Sequence, residues 1–162
     1  MVETIDRIVL NNFDGQTHPG ILLDEGCRGE VYDIAPGIVA KSYYSRKVSG
    51  PLAEFDIAKT LYEEGVQCPK PHGVFNITLK NGNDPVPGFV MDRINGIQPK
   101  QIIDIEEYKD ALKQIATEKR KIERIGFFPS LEHSIGCNTL WVPEEKKLYL
   151  FDFDSLIRRD SK

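Results

Sequence analysis

Nowhere does this chain run to the roughly 18 consecutive apolar residues that a membrane helix needs. Its first residues, Met1 to Asn12, interrupt short apolar runs with Glu3, Asp6 and Arg7. On that count no membrane-spanning helix is expected, and no classical secretion signal. Cysteine is scarce as well: three residues, Cys27, Cys68 and Cys137, stand far apart. They offer neither the C-x-x-C pairs of a zinc site nor the even count of a disulfide framework, so a reducing, cytoplasmic setting is expected. Delivery by a specialised export system leaves no such mark, so the expectation concerns where the chain folds. Excess positive charge is also missing: 21 basic residues face 25 acidic ones, which removes nucleic acid as the default partner. Internal repeats and low-complexity tracts are absent.

What is present is 162 residues, 40% of them hydrophobic, enough for one ordinary domain or two tightly joined lobes. Asn11 to Gly20 is crowded with Asn, Asp, Gly and Pro and reads as loop, so residues 1–20 are set apart as an N-terminal extension. Ile21 to Leu23, Glu30 to Ile34 and Ile38 to Tyr44 are rich in Ile, Val and Tyr. Parted by Asp-Glu-Gly and Ala-Pro-Gly turns, they predict a three-stranded meander. Gly50-Pro51 opens a helix to about Glu64, with proline where its missing N–H costs nothing and Gly65 as a left-handed stop. Its apolar stripe is Leu52, Phe55, Ala58 and Tyr62.

After a proline-bearing loop, Val66 to Pro71, two further strands are expected, Gly73 to Leu79 and Gly88 to Ile94, joined across Asn81-Gly82. Asp104-x-x-Glu107 starts a long helix. Tyr108, Ala111, Leu112, Ile115, Ala116, Ile122 and Ile125 follow at helical spacing until Gly126. Thr139 to Val142 and Leu148 to Phe151 then make a short hairpin around Pro143 to Lys147. The expected class is α+β: a five-stranded antiparallel sheet with one helix over residues 21–95, then a short helical lobe with a small hairpin over 96–162.

Three features along the first lobe bear on chemistry. Asp24-Glu25-Gly26-Cys27-Arg28-Gly29-Glu30-Val31 puts two glycines in a turn between strands, where a backbone can approach an anion closely. Ten residues past Val31, the run Ile38-Val39-Ala40-Lys41 matches a strand in which an inward lysine holds the α- and β-phosphates of ATP. Thirteen residues further, Glu54 shares a helix face with Ala58 and Leu61, within reach of Lys41, whose ammonium it would fix. Singly, these are an ordinary hairpin, a solvated lysine and a surface glutamate. Their order, with two more strands after them, is what few unrelated folds reproduce.

That order resembles the protein-kinase-like superfamily, over Ile21 to about Ser155. Glu64-Gly65-Val66-Gln67-Cys68-Pro69-Lys70-Pro71 is similar to the loop after the corresponding helix in RIO-type kinases, aminoglycoside phosphotransferases and the small tRNA-modification-complex kinase. Phe89-Val90-Met91-Asp92-Arg93-Ile94 is similar to the last strand and hinge of the first lobe. The resemblance implies nucleotide contacts at Gly26, Gly29, Val31, Ala40 and Lys41, with Met91 as gatekeeper and the backbone of Asp92 and Ile94 on adenine. In the family, H-R-D-x-x-x-x-N is followed by a hairpin and then D-F-G. Here Asn138 precedes the expected hairpin and Asp152-Phe153-Asp154 follows it. The resemblance therefore implies ATP and Mg²⁺ as cofactors, Asn138 and Asp152 as metal ligands, and Lys41, Glu54, His133, Asn138 and Asp152 as the catalytic set.

Two departures accompany the match. His133 stands five residues before Asn138, where the family has its catalytic aspartate, and the acidic Glu132 sits one position early. An imidazole titrates near 6.5 and can take a proton, and a general base contributes roughly 10²–10⁴-fold, so slow transfer and no transfer both stay open. A histidine that only packs is an equal reading. The stretch after Asp154 contains no A-P-E motif, and so short a second lobe implies an exposed apolar face and a protein partner. Three functions are consistent with this pattern: a Mg-ATP phosphotransferase acting on protein serine or threonine, a pseudokinase that binds nucleotide or protein, and a small α+β binding domain with no nucleotide site.

Overall fold

Short runs of β-branched and aromatic residues become strands β1 (Pro19–Glu25), β2 (Gly29–Ala35), β3 (Ile38–Tyr43), β4 (Pro71–Leu79) and β5 (Val86–Asp92). The computed structural model of the chain describes residues 10–79, 84–129 and 138–159. The strands join in the order β1-β2-β3-β5-β4 with antiparallel neighbours. A short parallel contact of Pro19 and Gly20 with Thr78 and Leu79 closes the ring into a barrel. Helix α1 (Ser49–Glu63) links β3 to β4, and α2 (Ile105–Ile125) follows β5. Strands β6 (Phe127–Pro129) and β9 (Leu156–Arg158) pair antiparallel, as do β7 (Thr139–Val142) and β8 (Lys147–Leu150).

The α+β class, the five-stranded antiparallel sheet, its helix and the hairpin match the expectation. Barrel closure does not follow from the sequence, and it corrects one boundary: Pro19-Gly20 is strand, not loop. At Gly20 an added Cβ would lie 3.3 Å from the Tyr32 side chain, so this glycine serves close packing within the strand. The expected Asn81-Gly82 turn lies outside the described residues. No helix among the described residues is long and apolar enough to cross a membrane.

The chain divides into two compact units. One holds the chain up to Phe55 together with Pro71–Asp92; the other holds Asp56–Lys70 and the chain from Arg93 on. In the first unit, Tyr32, Ile34, Ala40, Ile77, Val86 and Val90 form the core, with Phe13 and Phe75 packed against it. Phe13 comes from the expected N-terminal extension, and its ring meets that of Phe75 edge-on at 5.4 Å. Because side chains alternate along a strand, β3 sends Ala40 into this core and turns Val39, Lys41 and Tyr43 to the opposite face. There Phe55 of α1 lies against Phe89 of β5, ring centroids 6.1 Å apart.

Both helices correct the expected apolar stripes. In α1 the buried positions are Pro51, Glu54, Ala58 and Leu61, while Tyr62 is exposed. The inward face carries a carboxylate, so apolar periodicity alone points about one residue off the true face. Helix α2 has the predicted ends: the Asp104 side chain accepts the Glu107 N–H at 2.9 Å, and Gly126 takes φ 97° at the C-cap. Ala111 and Ile122 of its expected stripe are buried, joined by Glu118, whereas Tyr108 and Leu112 are 39% and 45% exposed.

In the second unit a buried acid organises the loop after α1. Glu118 accepts the Gln67 N–H at 2.8 Å and the Lys121 ammonium at 2.8 Å, and Lys121 also donates to the Gly65 carbonyl at 3.0 Å. The Leu150 N–H donates to the Gln67 carbonyl at 2.9 Å, tying the same loop to β8. Burial, and secondarily Glu118, pushes the Cys68 thiol up from 9.0 to about 12. Burial and hydrogen bonds to Glu30 and Glu145 push Tyr32 and Tyr149 up from 10.0 to about 12. These groups resist losing protons only when folded, so their contribution is whole below about pH 9 and is lost as pH rises toward about 12. Denaturant melts across that window should show a steady decline, with Cys68→Ala flattening its lower end.

Candidate functional site

The strongest local chemistry in the first unit is an ion pair. Lys41 Nζ lies 3.0 Å from Glu54 Oε2, with the side chains 10% and 1% exposed. Strand alternation turns Lys41 out of the barrel core, and the α1 face bearing Glu54 lies against that side of β3. Such a pair is weak as a stability device, because removing two charges from water offsets most of their attraction.

Tyr43, which the sequence reading passed over, completes the group. It lies two residues beyond Lys41 on the same strand face, donates its hydroxyl to Glu54 Oε2, and sets its ring centroid 5.1 Å from Lys41 Nζ. The signal was available in the period-2 alternation that pairs Lys41 with Tyr43, but tyrosine in a strand reads first as packing.

The glycine turn is held by backbone contacts. The Gly26 N–H donates to the Gly29 carbonyl at 2.8 Å, closing a tight link between β1 and β2. A Cβ at Gly26 would meet only that carbonyl at an ordinary 3.7 Å, whereas one at Gly29 would overlap the Ser42 carbonyl of β3. Gly29 is thus demanded by strand packing. The exposed tip between them is Cys27-Arg28, and the Tyr44 hydroxyl donates to the Gly26 carbonyl at 2.9 Å.

Val31 stands opposite Lys41 in the β2–β3 ladder and is partly exposed. Ala40, by contrast, is fully buried in the barrel core, on the face away from Lys41. The residue sharing the Lys41 face is Val39, two positions earlier. Met91 pairs with Val39 of β3 and Pro71 of β4. Asp92 ends β5, its carboxylate 2.6 Å from His72 Nε2, and Ile94 lies beyond the strand in the second unit.

Within the second unit the β7–β8 hairpin brings Asn138 to the start of the Asp152-Phe153-Asp154 run. The Phe151 N–H donates to the Asn138 carbonyl at 3.1 Å, next to the Thr139–Leu150 register pair. Asp152 then adopts the left-handed conformation, φ 63° and ψ 66°, before a short helical turn over Phe153–Ser155. For most residues with a Cβ that conformation costs roughly 1–2 kcal/mol, and aspartate tolerates it better than they do. A carboxylate and an amide are hard oxygen donors suited to Mg²⁺, which takes one or two protein ligands and fills its octahedron with waters and phosphates. Among the described residues no group of three or more His, Cys, Asp or Glu forms a metal cluster. His133 and Glu132 lie outside the described residues.

No protein-family model matches the chain, and a search of curated proteins returns no match either.

Proposed function

We propose that this chain is a Mg-ATP-dependent phosphotransferase of minimal protein-kinase-like fold, acting on a serine or threonine hydroxyl of a protein. The observation that carries the reading is the buried Lys41–Glu54 pair. In protein kinases a lysine on the third strand must pair with a glutamate on the following helix before the phosphates are correctly held. Here the lysine is on the third strand and the glutamate on the helix that follows it. The order of three strands, a helix and two strands supports the same assignment, as does a hairpin bounded by Asn138 and Asp152.

In this reading Lys41 binds the α- and β-phosphates and Glu54 holds its ammonium in place. Asn138 and Asp152 hold Mg²⁺, which when bound neutralises charge on the phosphates. His133 takes the proton of the acceptor hydroxyl. Val31, Met91, and the backbone of Asp92 and Ile94 seat the base, with Val39 taking the place first given to Ala40. A protein partner or substrate belongs to the reading, and the apolar residues exposed along α2 support it.

His133 at the position of the usual aspartate favours a second reading, a pseudokinase that binds Mg-ATP without transferring phosphate. Incubation with γ-labelled ATP separates the two. Transfer to the chain itself or to a protein substrate, abolished in Asp152→Ala, supports the enzyme and refutes the pseudokinase. Binding with no transfer and no hydrolysis, with or without a protein partner, rejects the enzyme.

A further inference from the structure

We infer that Tyr43 is a positioning residue that locks the Lys41–Glu54 pair in its inward arrangement before any ligand arrives. The inference rests on the proposed nucleotide role of that pair for its functional meaning, although its geometry stands independently. Tyr43 touches both members, donating its hydroxyl to Glu54 Oε2 and presenting its ring to the Lys41 ammonium at 5.1 Å. A third contact fixes the helix. An added Cβ at Gly50 would lie 3.0–3.2 Å from three atoms of the Tyr43 ring, tighter than ordinary contact by a few tenths of an ångström, so the first turn of α1 closes tightly onto that ring. Gly50 and Glu54 are four residues apart and share one helix face. One tyrosine therefore seats the start of α1 and, a turn later, receives its carboxylate.

The consequence is a division of labour at Glu54. A lysine ammonium has three donors, and a phosphate would draw some of them away from the carboxylate. The Tyr43 hydroxyl then continues to hold Glu54, so Lys41 turns toward a phosphate without releasing the helix.

The test is acylation of lysines in the full-length chain without nucleotide, read peptide by peptide, with the 78%-exposed Lys113 as internal standard. Loss of one hydrogen bond to a charged group should raise Lys41 labelling relative to Lys113 about tenfold in Tyr43→Phe. Glu54→Gln should raise it similarly, and the double variant should rise no further than the larger single, because Tyr43 acts through Glu54. Gly50→Ala keeps Lys41, Tyr43 and Glu54 but presses a Cβ against the Tyr43 ring, and should raise the ratio too if Tyr43→Phe fails to fold. Unchanged labelling in the folded variants, or additive effects in the double, overturns the inference. A second arm measures Mg-ATP affinity, expected to weaken about tenfold in Tyr43→Phe. Absence of ATP binding in the unsubstituted chain would defeat the nucleotide reading, while the labelling result would still judge the role of Tyr43.

Discussion

Lys41→Ala is expected to destabilise the chain by about 3–5 kcal/mol, because it leaves a buried carboxylate without its counter-charge. Glu54 is 1% exposed, so water does not readily take the place of the ammonium. The Tyr43 hydroxyl still donates to the carboxylate, which sets the expectation toward the lower end of that range. Removing both charges has the opposite logic. Lys41→Met combined with Glu54→Leu fills the same volume with apolar groups and should fall within about 1 kcal/mol of the starting chain, or exceed it. Urea midpoints at constant slope measure both effects. The single and double variants are thus expected to differ sharply in stability and to share one functional loss, the response to Mg-ATP. Equal stability of single and double variants would mean that the charges do not depend on each other.

The second large effect concerns Asp152. Its left-handed backbone, φ 63°, makes alanine and glycine unequal replacements although both remove the carboxylate. Glycine adopts that conformation freely, whereas alanine keeps the Cβ strain, so Asp152→Gly should be more stable than Asp152→Ala by about 1 kcal/mol after allowing for glycine's greater chain entropy. Both should lose Mg-dependent nucleotide affinity to the same degree, at least tenfold, roughly the weight of one charge-assisted interaction. The comparison separates backbone conformation from ligand chemistry at one position. Equal stability of the two would remove strain as an explanation, and undiminished Mg-ATP affinity in either would remove the metal-ligand role.

The parts of this molecule that local chemistry decides were legible in its sequence. Asp104 and Gly126 mark the ends of α2 because capping geometry is a short-range matter, and Gly65 stops α1 in the left-handed conformation for the same reason. The five strands and the hairpin followed from β-branched runs between turn residues. Lys41 and Glu54 were legible as a pair because strand alternation and helix periodicity turned each toward the other. By that same alternation Ala40 faces the barrel core, and the neighbour of Lys41 on its own face is Val39, two residues away.

What stayed hidden depends on contacts between residues far apart in sequence. The parallel closure of β1 on β4 joins Gly20 to Leu79, and no local signal announces it. The demand for glycine at position 29 comes from a carbonyl of the next strand, not from the turn in which it sits. Ala58, Ala111 and Ile122 were on the expected stripes and are buried, whereas buried Glu54 and Glu118 interrupt the apolar patterns and were left out of them. A polar residue whose partner lies elsewhere in the chain is where apolar counting fails.

Calorimetric titration of the full-length chain with ATP in the presence and absence of Mg²⁺ tests the central claim most directly. The account predicts saturable binding that requires Mg²⁺, is lost in Lys41→Met/Glu54→Leu despite its retained stability, and is lost in Asp152→Gly. No saturable binding by the unsubstituted chain, or binding that ignores both substitutions, would contradict it.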